Sequence, residues 1–358
     1  MLIAGERIAA VVEQQQLPAD IPQIYDLKGG TLLPGFIDLQ VNGGGGVLFN
    51  AAPTVESLRR IGAAHRQFGT TGFLPTLITD SFAVMRQAVA AVEQAILEGV
   101  PGVLGIHLEG PFLNPLRKGA HDAGKFCLLD QEGFEIVTSL AAGKTLVTLA
   151  PELTSTDMIR RLVAQGVIVC AGHSAATYEQ ASDAIAAGVS GFTHVYNAMT
   201  PLQSREPGMV GAALADSDTW FGIIADGHHC HPAAFRIAVA AKQAGGAVLV
   251  TDAMPTVGAQ DAAFVLNGET LVAREGRIVN AAGMLAGSDL DMLSAVNNAA
   301  AFAGLDWFEA VRMATSYPAR ALGLEGEVGA IKAGCRASVL ALDGARRIRA
   351  SWIDGVRV

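Results

Sequence analysis

Short apolar runs recur along the chain, and longer segments with an apolar residue at every third or fourth position lie between them. The short runs are typical of buried strands, and the longer segments are typical of amphipathic helices. The alternation occurs eight times. It predicts an α/β fold built as a (β/α)₈ TIM barrel, with an open doubly wound sheet as the alternative. The predicted strands are 33–40, 72–78, 103–109, 145–149, 167–171, 191–194, 221–226 and 247–252.

The two ends of the chain follow a different pattern. Residues 2–12 and 337–358 contain short strand-like pieces without helical partners. We therefore predict a small β-sandwich subdomain formed by residues 1–32 and 327–358, beside a barrel domain of residues 33–326. Tight-turn signals at Asn267-Gly268 and Glu275-Gly276 further predict a β-hairpin insertion near 256–282.

Polar side chains terminate the apolar strands. Glu109, His173, His194, His229 and Asp252 each lie at the end of a different predicted strand. A single buried histidine is usually a hydrogen-bonded core residue, but the carboxyl ends of barrel strands meet on one face. One carboxylate and two imidazoles suit a catalytic divalent metal, and a nearby aspartate can move a proton. The pattern therefore predicts metal-assisted hydrolysis.

Composition narrows the class of protein. Of the 358 residues, 51% are hydrophobic and 16% are charged, which excludes a disordered chain. The net charge of −9 argues against partners that are nucleic acids or anionic membranes. The longest charge-free stretch, 184–204, is too polar for a membrane span, and the first residues lack the apolar core of a signal peptide. We expect a cytoplasmic protein.

The four cysteines form no CxxC pair, so neither a disulfide framework nor a thiolate zinc site is expected.

Eight motifs, spread over nearly the whole chain, carry a family resemblance. They resemble the amidohydrolase superfamily and, within it, the N-acetylglucosamine-6-phosphate deacetylase family. The motifs are LPGFID at 33–38, GIHLEGPF at 105–112, KGAH at 118–121, AGHS at 171–174, THVYNAM at 193–199, REPG at 205–208, ADGHH at 225–229 and LVTDA at 249–253.

The resemblance implies a reaction and a catalytic set. Water would cleave the acetamide of N-acetylglucosamine 6-phosphate to give glucosamine 6-phosphate and acetate. Glu109, His173 and His194 would hold one divalent metal ion per subunit, Zn²⁺ or alternatively Fe²⁺. Asp252 would act as general base and then as general acid, and His121 would polarise the carbonyl.

The resemblance also implies a sugar-phosphate site and a homodimer. In the family, the arginine that matches Arg205 can reach the active site of the neighbouring subunit, although a solvated loop cation is the simpler interpretation of this residue. The matching substrate-binding positions are Ala120, Asn197, Ala198, Arg205, His229, Ala286, Gly287 and Ser288. Whether N-acetylgalactosamine 6-phosphate is also accepted depends on a hydroxyl contact that the sequence does not identify.

One departure from the superfamily pattern concerns the first strand. Most amidohydrolases carry His-x-His there, whereas this chain has Gln40-Val41-Asn42. Positions 40 and 42 share a strand face, so both amides are possible site residues. Neutral amides are weak metal ligands, so we expect one metal ion rather than a bridged pair. The glycines at 43–46 that follow fit either a sugar-contacting loop or a flexible one.

Three alternatives stay open at this point. The His228–His231 cluster could be a second metal site. The protein could be a different amidohydrolase, acting on a cyclic amide or an N-acyl amino acid, which would not need Arg205 or His229. It could also be a catalytically inactive scaffold, although such a protein has no physical need for a buried acidic and imidazole cluster.

Overall fold

The computed structural model describes residues 1–18, 20–280 and 283–358. Within these residues the β-strands are β1 (Leu2–Ala4), β2 (Arg7–Ala10), β3 (Thr31–Pro34), β4 (Phe36–Val41), β5 (Gly43–Gly44), β6 (Val47–Leu48), β7 (Thr70–Ile78), β8 (Gly105–Glu109), β9 (Lys144–Leu149), β10 (Ile168–Ala171), β11 (Gly191–Phe192), β12 (Trp220–Ile223), β13 (Ala247–Leu249), β14 (Ala263–Leu266), β15 (Glu269–Arg274), β16 (Arg277–Val279), β17 (Leu285–Ser288), β18 (Val339–Leu342), β19 (Ile348–Ile353) and β20 (Val356–Arg357).

The α-helices follow most of the long strands. Several begin at a polar cap, such as Thr54, Ser81 and Ser155, whose hydroxyl accepts a bond from a backbone N–H of the first turn. No described helix is long and apolar enough to cross a membrane. The helices are α1 (Val55–Arg66), α2 (Phe82–Leu97), α3 (Gln131–Val137), α4 (Thr156–Ala164), α5 (Tyr178–Ala187), α6 (Gly208–Ala215), α7 (Pro232–Ala241), α8 (Met292–Ala303), α9 (Trp307–Met313) and α10 (Ser316–Ala321), with 3₁₀ turns at Gln14–Gln16, Phe49–Ala51, Pro115–Arg117, Ala123–Lys125 and Pro151–Leu153.

Eight parallel strands build the centre of the molecule. Strands β4 and β7 to β13 pair in chain order in one sheet. The first and last strands meet through a parallel bridge between Val41 and Ala253, and the Asp252 N–H donates to the Gln40 carbonyl at 3.0 Å. The predicted (β/α)₈ barrel is therefore confirmed. The barrel brings the carboxyl ends of its strands to one face, where catalytic groups of such folds lie.

The predicted strand 33–40 is wrong in one respect, because it is two strands in two sheets. β3 pairs with β18, Leu33 facing Leu340, whereas β4 enters the barrel beside β7. Gly35 separates them, and a Cβ there would lie 1.9 Å from the Thr71 hydroxyl. The residues on both sides of Gly35 are apolar, so the hydrophobic pattern runs through the change of sheet without a break.

The chain ends form separate antiparallel sheets. β3, β18, β19 and β20 make one sheet and β1 pairs with β2 in another. The Ile8 N–H donates to the Cys335 carbonyl at 2.9 Å, which ties the N-terminal hairpin to the C-terminal part. The boundary predicted between residues 32 and 33 falls inside β3, and the division into two domains stays a prediction.

The predicted hairpin insertion is a four-stranded antiparallel sheet. Strands β14 to β17 pair consecutively, so the sheet extends to Ser288. The predicted turns at 267–268 and 275–276 are present with both residues at positive φ, as a type I′ turn requires. Residues 281 and 282 of the predicted insertion lie outside the described residues.

A buried carboxyl fastens the seam between the first and last barrel strands. The Asp38 Oδ2 atom accepts the Thr251 hydroxyl at 2.5 Å, and its Oδ1 atom accepts the N–H groups of Gln40 and Thr251. Burial raises the pKa of Asp38 to about 7, although these hydrogen bonds favour the ionised form. The seam therefore contains a carboxyl that the folded state prefers to keep protonated.

This shift predicts a pH-dependent stability difference between the protein and its Asp38→Asn variant. The unfolded chain releases the Asp38 proton near pH 4, whereas the folded chain holds it to about pH 7, so rising pH destabilises the native protein over that window. The amide does not titrate. In urea unfolding, the free energy of unfolding of the variant should rise by on the order of 2 kcal/mol relative to that of the native protein between pH 5 and pH 8. An equal difference at both pH values would contradict this.

Candidate active site

Three ligand groups converge at the carboxyl ends of β8, β10 and β11. Glu109 Oε1 lies 3.2 Å from His173 Nε2 and 3.0 Å from His194 Nε2, and the two Nε2 atoms are 3.1 Å apart. All three side chains are buried. Burial opposes ionisation of Glu109, but the hydrogen bonds to His173 and His194 outweigh it and hold the pKa of Glu109 well below its usual value. The cluster therefore stabilises an anion in the protein interior.

The backbone at three strand ends adopts a conformation that side chains other than glycine rarely occupy. His173, His194 and Asp252 have φ values of 47°, 30° and 53°. Such left-handed residues cost free energy and persist where the surrounding structure holds them. In this structure the three left-handed residues follow the ends of β10, β11 and β13.

The donor set fits a divalent metal ion. The His173 Nδ1 atom is 2.8 Å from the Arg117 carbonyl, which can only accept, so Nδ1 carries a proton, and the neutral form of the ring would offer its Nε2 lone pair to an ion. Glu109, His173 and His194 present ligand atoms within 4.8 Å of one another. A carboxylate with two neutral imidazoles is a ligand set suited to Zn²⁺ or Fe²⁺.

Two amides of the first barrel strand connect this cluster to Asp252. The Gln40 Nε2 atom donates to Glu109 Oε2 and to Asp252 Oδ1, each at 3.1 Å. The Asn42 Nδ2 atom donates to Asp252 Oδ1 at 2.7 Å. Burial, reinforced by the charge of Glu109, raises the pKa of Asp252 to about 6. Gln40 and Asn42 thus hold the aspartate beside the cluster through hydrogen bonds.

His121 is fixed in one tautomer. Its Nδ1 atom accepts the Thr79 N–H at 3.3 Å and lies 2.8 Å from the Thr79 hydroxyl, so the proton of the neutral ring is on Nε2. Burial lowers the pKa of His121 to about 3, and the nearby His173 contributes in the same direction. The ring centroids of His121 and His173 are 4.4 Å apart. His121 is therefore a neutral Nε2 donor at the cluster.

A pocket with a cavity volume of about 160 Å³ opens over these groups. It brings together many of the predicted site residues and adds apolar walls from Ile78, Met254 and Leu285. The predicted residues that line it are Asn42, Glu109, Ala120, His121, His173, His194, Asn197, Ala198, His229, Asp252 and Gly287.

Three predicted substrate residues do not line this pocket. Arg205 is exposed in the loop before α6. Ala286 is buried in the apolar core of the insertion sheet. The Ser288 hydroxyl donates to the Thr251 carbonyl at 2.5 Å, and the Ser288 N–H donates to the Asp252 carbonyl at 2.9 Å. Ser288 therefore supports the strand end that carries Asp252.

The histidines of the 228–231 cluster, after β12, make different contacts. His229 lines the pocket and its Nδ1 atom is 2.6 Å from Asp226 Oδ2. His231 caps α7 through Nδ1, which accepts the Ala233 N–H at 3.1 Å, and His228 is exposed. Among the described residues, the group of ligand atoms that could hold an ion is the Glu109 cluster.

Sequence reasoning missed three supporting groups. Asp226 lies within the quoted ADGHH motif, three residues before His229, and that spacing could have identified it. Thr79 directly follows a predicted strand end, which is the signal that found the other site residues. The Arg117 carbonyl is a backbone group, and no side-chain pattern marks it.

Comparisons with known proteins identify the family of the chain. The amidohydrolase family matches residues 31–358. N-acetylgalactosamine-6-phosphate deacetylase of Shewanella sp. (strain ANA-3) is 47% identical, covering 94% of this chain and 85% of its own. N-acetylglucosamine-6-phosphate deacetylase of Haemophilus influenzae is 37% identical, covering 93% and 88%. The crystal structure of N-acetylglucosamine-6-phosphate deacetylase from Pasteurella multocida superposes with a TM-score of 0.95 at 35% identity, covering 99% and 93%. The chain belongs to the amidohydrolase family.

Proposed function

We propose that the protein hydrolyses the acetamide of N-acetylglucosamine 6-phosphate to glucosamine 6-phosphate and acetate, a step of amino-sugar catabolism. The observation that carries the proposal is the buried cluster of Glu109, His173 and His194, which lies beside Asp252 at the base of an open pocket. The relatives named as deacetylases of N-acetylhexosamine 6-phosphates support the substrate class. The intact cluster disfavours an inactive scaffold.

Glu109, His173 and His194 would hold one divalent ion, Zn²⁺ or alternatively Fe²⁺. When bound, such an ion supplies Lewis acidity that polarises a carbonyl and lowers the pKa of water. The first strand offers Gln40 and Asn42, whose amide nitrogens already donate to Glu109 and Asp252. A neutral amide used in this way cannot replace an imidazole ligand, which supports one ion per chain.

Asp252 would move the proton. Its Oδ1 atom is occupied by the amides of Gln40 and Asn42, which leaves Oδ2 for the reacting groups. There it would take a proton from the attacking water and deliver it to the departing amine. The raised pKa of about 6 suits a group that must both accept and release a proton near neutral pH.

His121 would stabilise the oxygen that becomes negative during attack. The Thr79 N–H occupies its Nδ1 atom, so the Nε2–H is the available donor. A neutral donor held in place by the backbone requires no rearrangement as charge develops on the carbonyl oxygen. This supports His121 as the carbonyl-polarising group.

The sugar phosphate would contact His229, Asn197 and the Ala198 backbone, with Ala120 and Gly287 as walls and with Ala286 and Ser288 supporting Gly287. No lysine or arginine lines the pocket within the described chain. Arg205 is exposed outside the pocket, and in the proposed homodimer it would reach the neighbouring site. Full activity in a protein that sediments as a monomer would contradict that arrangement.

We place the enzyme in the cytoplasm. The described structure contains no disulfide, and its four cysteines, Cys127, Cys170, Cys230 and Cys335, are free thiols. Such thiols suit a reducing compartment.

A second substrate is favoured by one comparison. The relative with 47% identity is named as an N-acetylgalactosamine-6-phosphate deacetylase. The N-acetylglucosamine-6-phosphate deacetylase of Haemophilus influenzae is 37% identical. The two sugars differ at one hydroxyl, so N-acetylgalactosamine 6-phosphate is the direct competitor for the same site. Measuring kcat/KM for both epimers separates the assignments.

The acetate-release assay tests the function. Purified, metal-loaded protein should release acetate from N-acetylglucosamine 6-phosphate, and removal of the phosphate should lower kcat/KM at least about 10-fold because a charge-assisted contact is lost. Equal turnover of the unphosphorylated sugar would contradict the phosphate contacts. Turnover of a cyclic amide or an N-acyl amino acid, without turnover of either sugar phosphate, would favour the different amidohydrolase.

Asp252→Asn tests the proton-transfer role. The variant should retain the metal ion, since Asp252 is not among the proposed ligands, and kcat should fall by roughly 10²-fold or more, the range of general acid and base catalysis. Metal content and kcat should be measured on the same preparation. Near-normal kcat with a full complement of metal would remove Asp252 from the mechanism.

A further inference from the structure

His229, which lines the pocket, is paired with the carboxylate of Asp226, apart from the Glu109 cluster. Asp226 Oδ2 lies 2.6 Å from His229 Nδ1, and the two side chains are 5% and 8% exposed. The other oxygen, Oδ1, accepts the N–H groups of His228 and His229, each at 2.8 Å. The Asp226 carboxylate therefore stabilises the turn after β12 and orients the ring of His229, three residues later.

This contact fixes which nitrogen of His229 carries a proton. Burial opposes ionisation of Asp226, but the hydrogen bond and charge of His229 outweigh it and lower the pKa of Asp226. An ionised carboxylate can only accept, so His229 Nδ1 must donate. Within the described residues, the side-chain hydrogen bond of the His229 ring is the one from Nδ1 to Asp226.

Contact with a phosphate ligand then determines whether the His229 ring carries a second proton, on Nε2. A neutral ring with its proton on Nδ1 presents a lone pair at Nε2, which repels a phosphate oxygen. A ring that donates to Asp226 and to a phosphate at the same time must be an imidazolium. The pair can therefore form a charge-assisted Nε2–H contact to an anion, with the carboxylate stabilising the cation from behind.

The surroundings leave this role to His229. The other pocket histidines are His173 and His194 of the Glu109 cluster and His121, whose Nε2–H is assigned to the carbonyl oxygen, and no lysine or arginine of the described chain lines the pocket. The protein as a whole carries a net charge of −9. A dianionic ligand thus finds local attraction only where a cation is built into the pocket wall or supplied by a second subunit.

We propose that Asp226 is a positioning residue that sets the preference for a phosphorylated substrate, because it holds His229 as a doubly protonated donor facing the pocket. This inference rests on the proposed function and deepens it. Asp226 acts through His229 and does not touch the substrate.

The test compares two substrates and one conservative variant. Asp226→Asn keeps the size of the side chain and an oxygen for the turn, but lacks the charge that stabilises the second proton. The ratio of kcat/KM for N-acetylglucosamine 6-phosphate to that for N-acetylglucosamine should fall about 10-fold or more, mainly through KM of the phosphorylated sugar. In the His229→Gln background, Asp226→Asn should change the ratio by less than about 2-fold, because the two residues act as a unit.

Asp216→Asn is the matched control. Asp216 Oδ1 accepts the N–H groups of Asp218 and Thr219 in the same kind of turn, before β12, away from the pocket. This variant should leave the ratio unchanged. An equal loss for both sugars in Asp226→Asn would show that Asp226 only maintains the turn, and would overturn the proposal.

A binding measurement separates this inference from the proposed function. Calorimetric titration of the metal-loaded protein with glucosamine 6-phosphate and with glucosamine needs no turnover. Asp226→Asn should weaken binding of glucosamine 6-phosphate about 10-fold or more. In the native complex, ¹⁵N-histidine NMR should show both ring nitrogens of His229 protonated. A neutral His229 in that complex would overturn the inference, whereas absence of acetate release by the native protein would overturn the function alone.

Discussion

Burial of the Glu109 carboxylate imposes the main constraint on this molecule. An ionised carboxylate in the interior is costly unless hydrogen-bond donors and opposite charge compensate it. Here two imidazoles face one of its oxygens and the Gln40 amide faces the other. Each partner comes from a different barrel strand, so the compensation exists only in the closed barrel. The fold and the site therefore stabilise each other.

The same constraint orders the groups around the cluster. The Arg117 carbonyl and the Thr79 N–H select the tautomers of His173 and His121, and the Gln40 amide joins Glu109 to Asp252. Each of these contacts fixes where a proton or a lone pair lies. The first strand thus contributes orientation through neutral amides, where His-x-His in other amidohydrolases would contribute metal ligands.

Most of the architecture could be predicted from the sequence because buried parallel strands and amphipathic helices leave strong periodic signals. The site could be predicted to the extent that polar side chains interrupt those signals at strand ends, as Glu109, His173 and Asp252 do. The change of sheet at Gly35 could not be predicted, since the residues on both sides of Gly35 are apolar. The path of a loop cannot be read from the hydrophobic pattern, so the sequence does not show that Arg205 lies exposed and outside the pocket.

The support of a site residue is harder to predict than the residue itself. Asp226 looks like an ordinary turn residue in the sequence, and only the 2.6 Å contact to His229 shows that its second oxygen faces a ring. The Arg117 carbonyl carries no side-chain signal at all. Such partners are set by three-dimensional packing, in which residues separated by tens of positions are brought within hydrogen-bond distance.

We propose that a single ion binds to Glu109, His173 and His194, with the first-strand amides serving as donors. Anomalous diffraction from crystals of the purified protein, recorded at the zinc and iron edges together with elemental analysis, locates and counts the bound ions. We expect one ion per chain, with its peak among these three side chains, and loss of that peak in Glu109→Gln. A second peak beside Gln40 and Asn42, or a single peak elsewhere in the barrel, would contradict it.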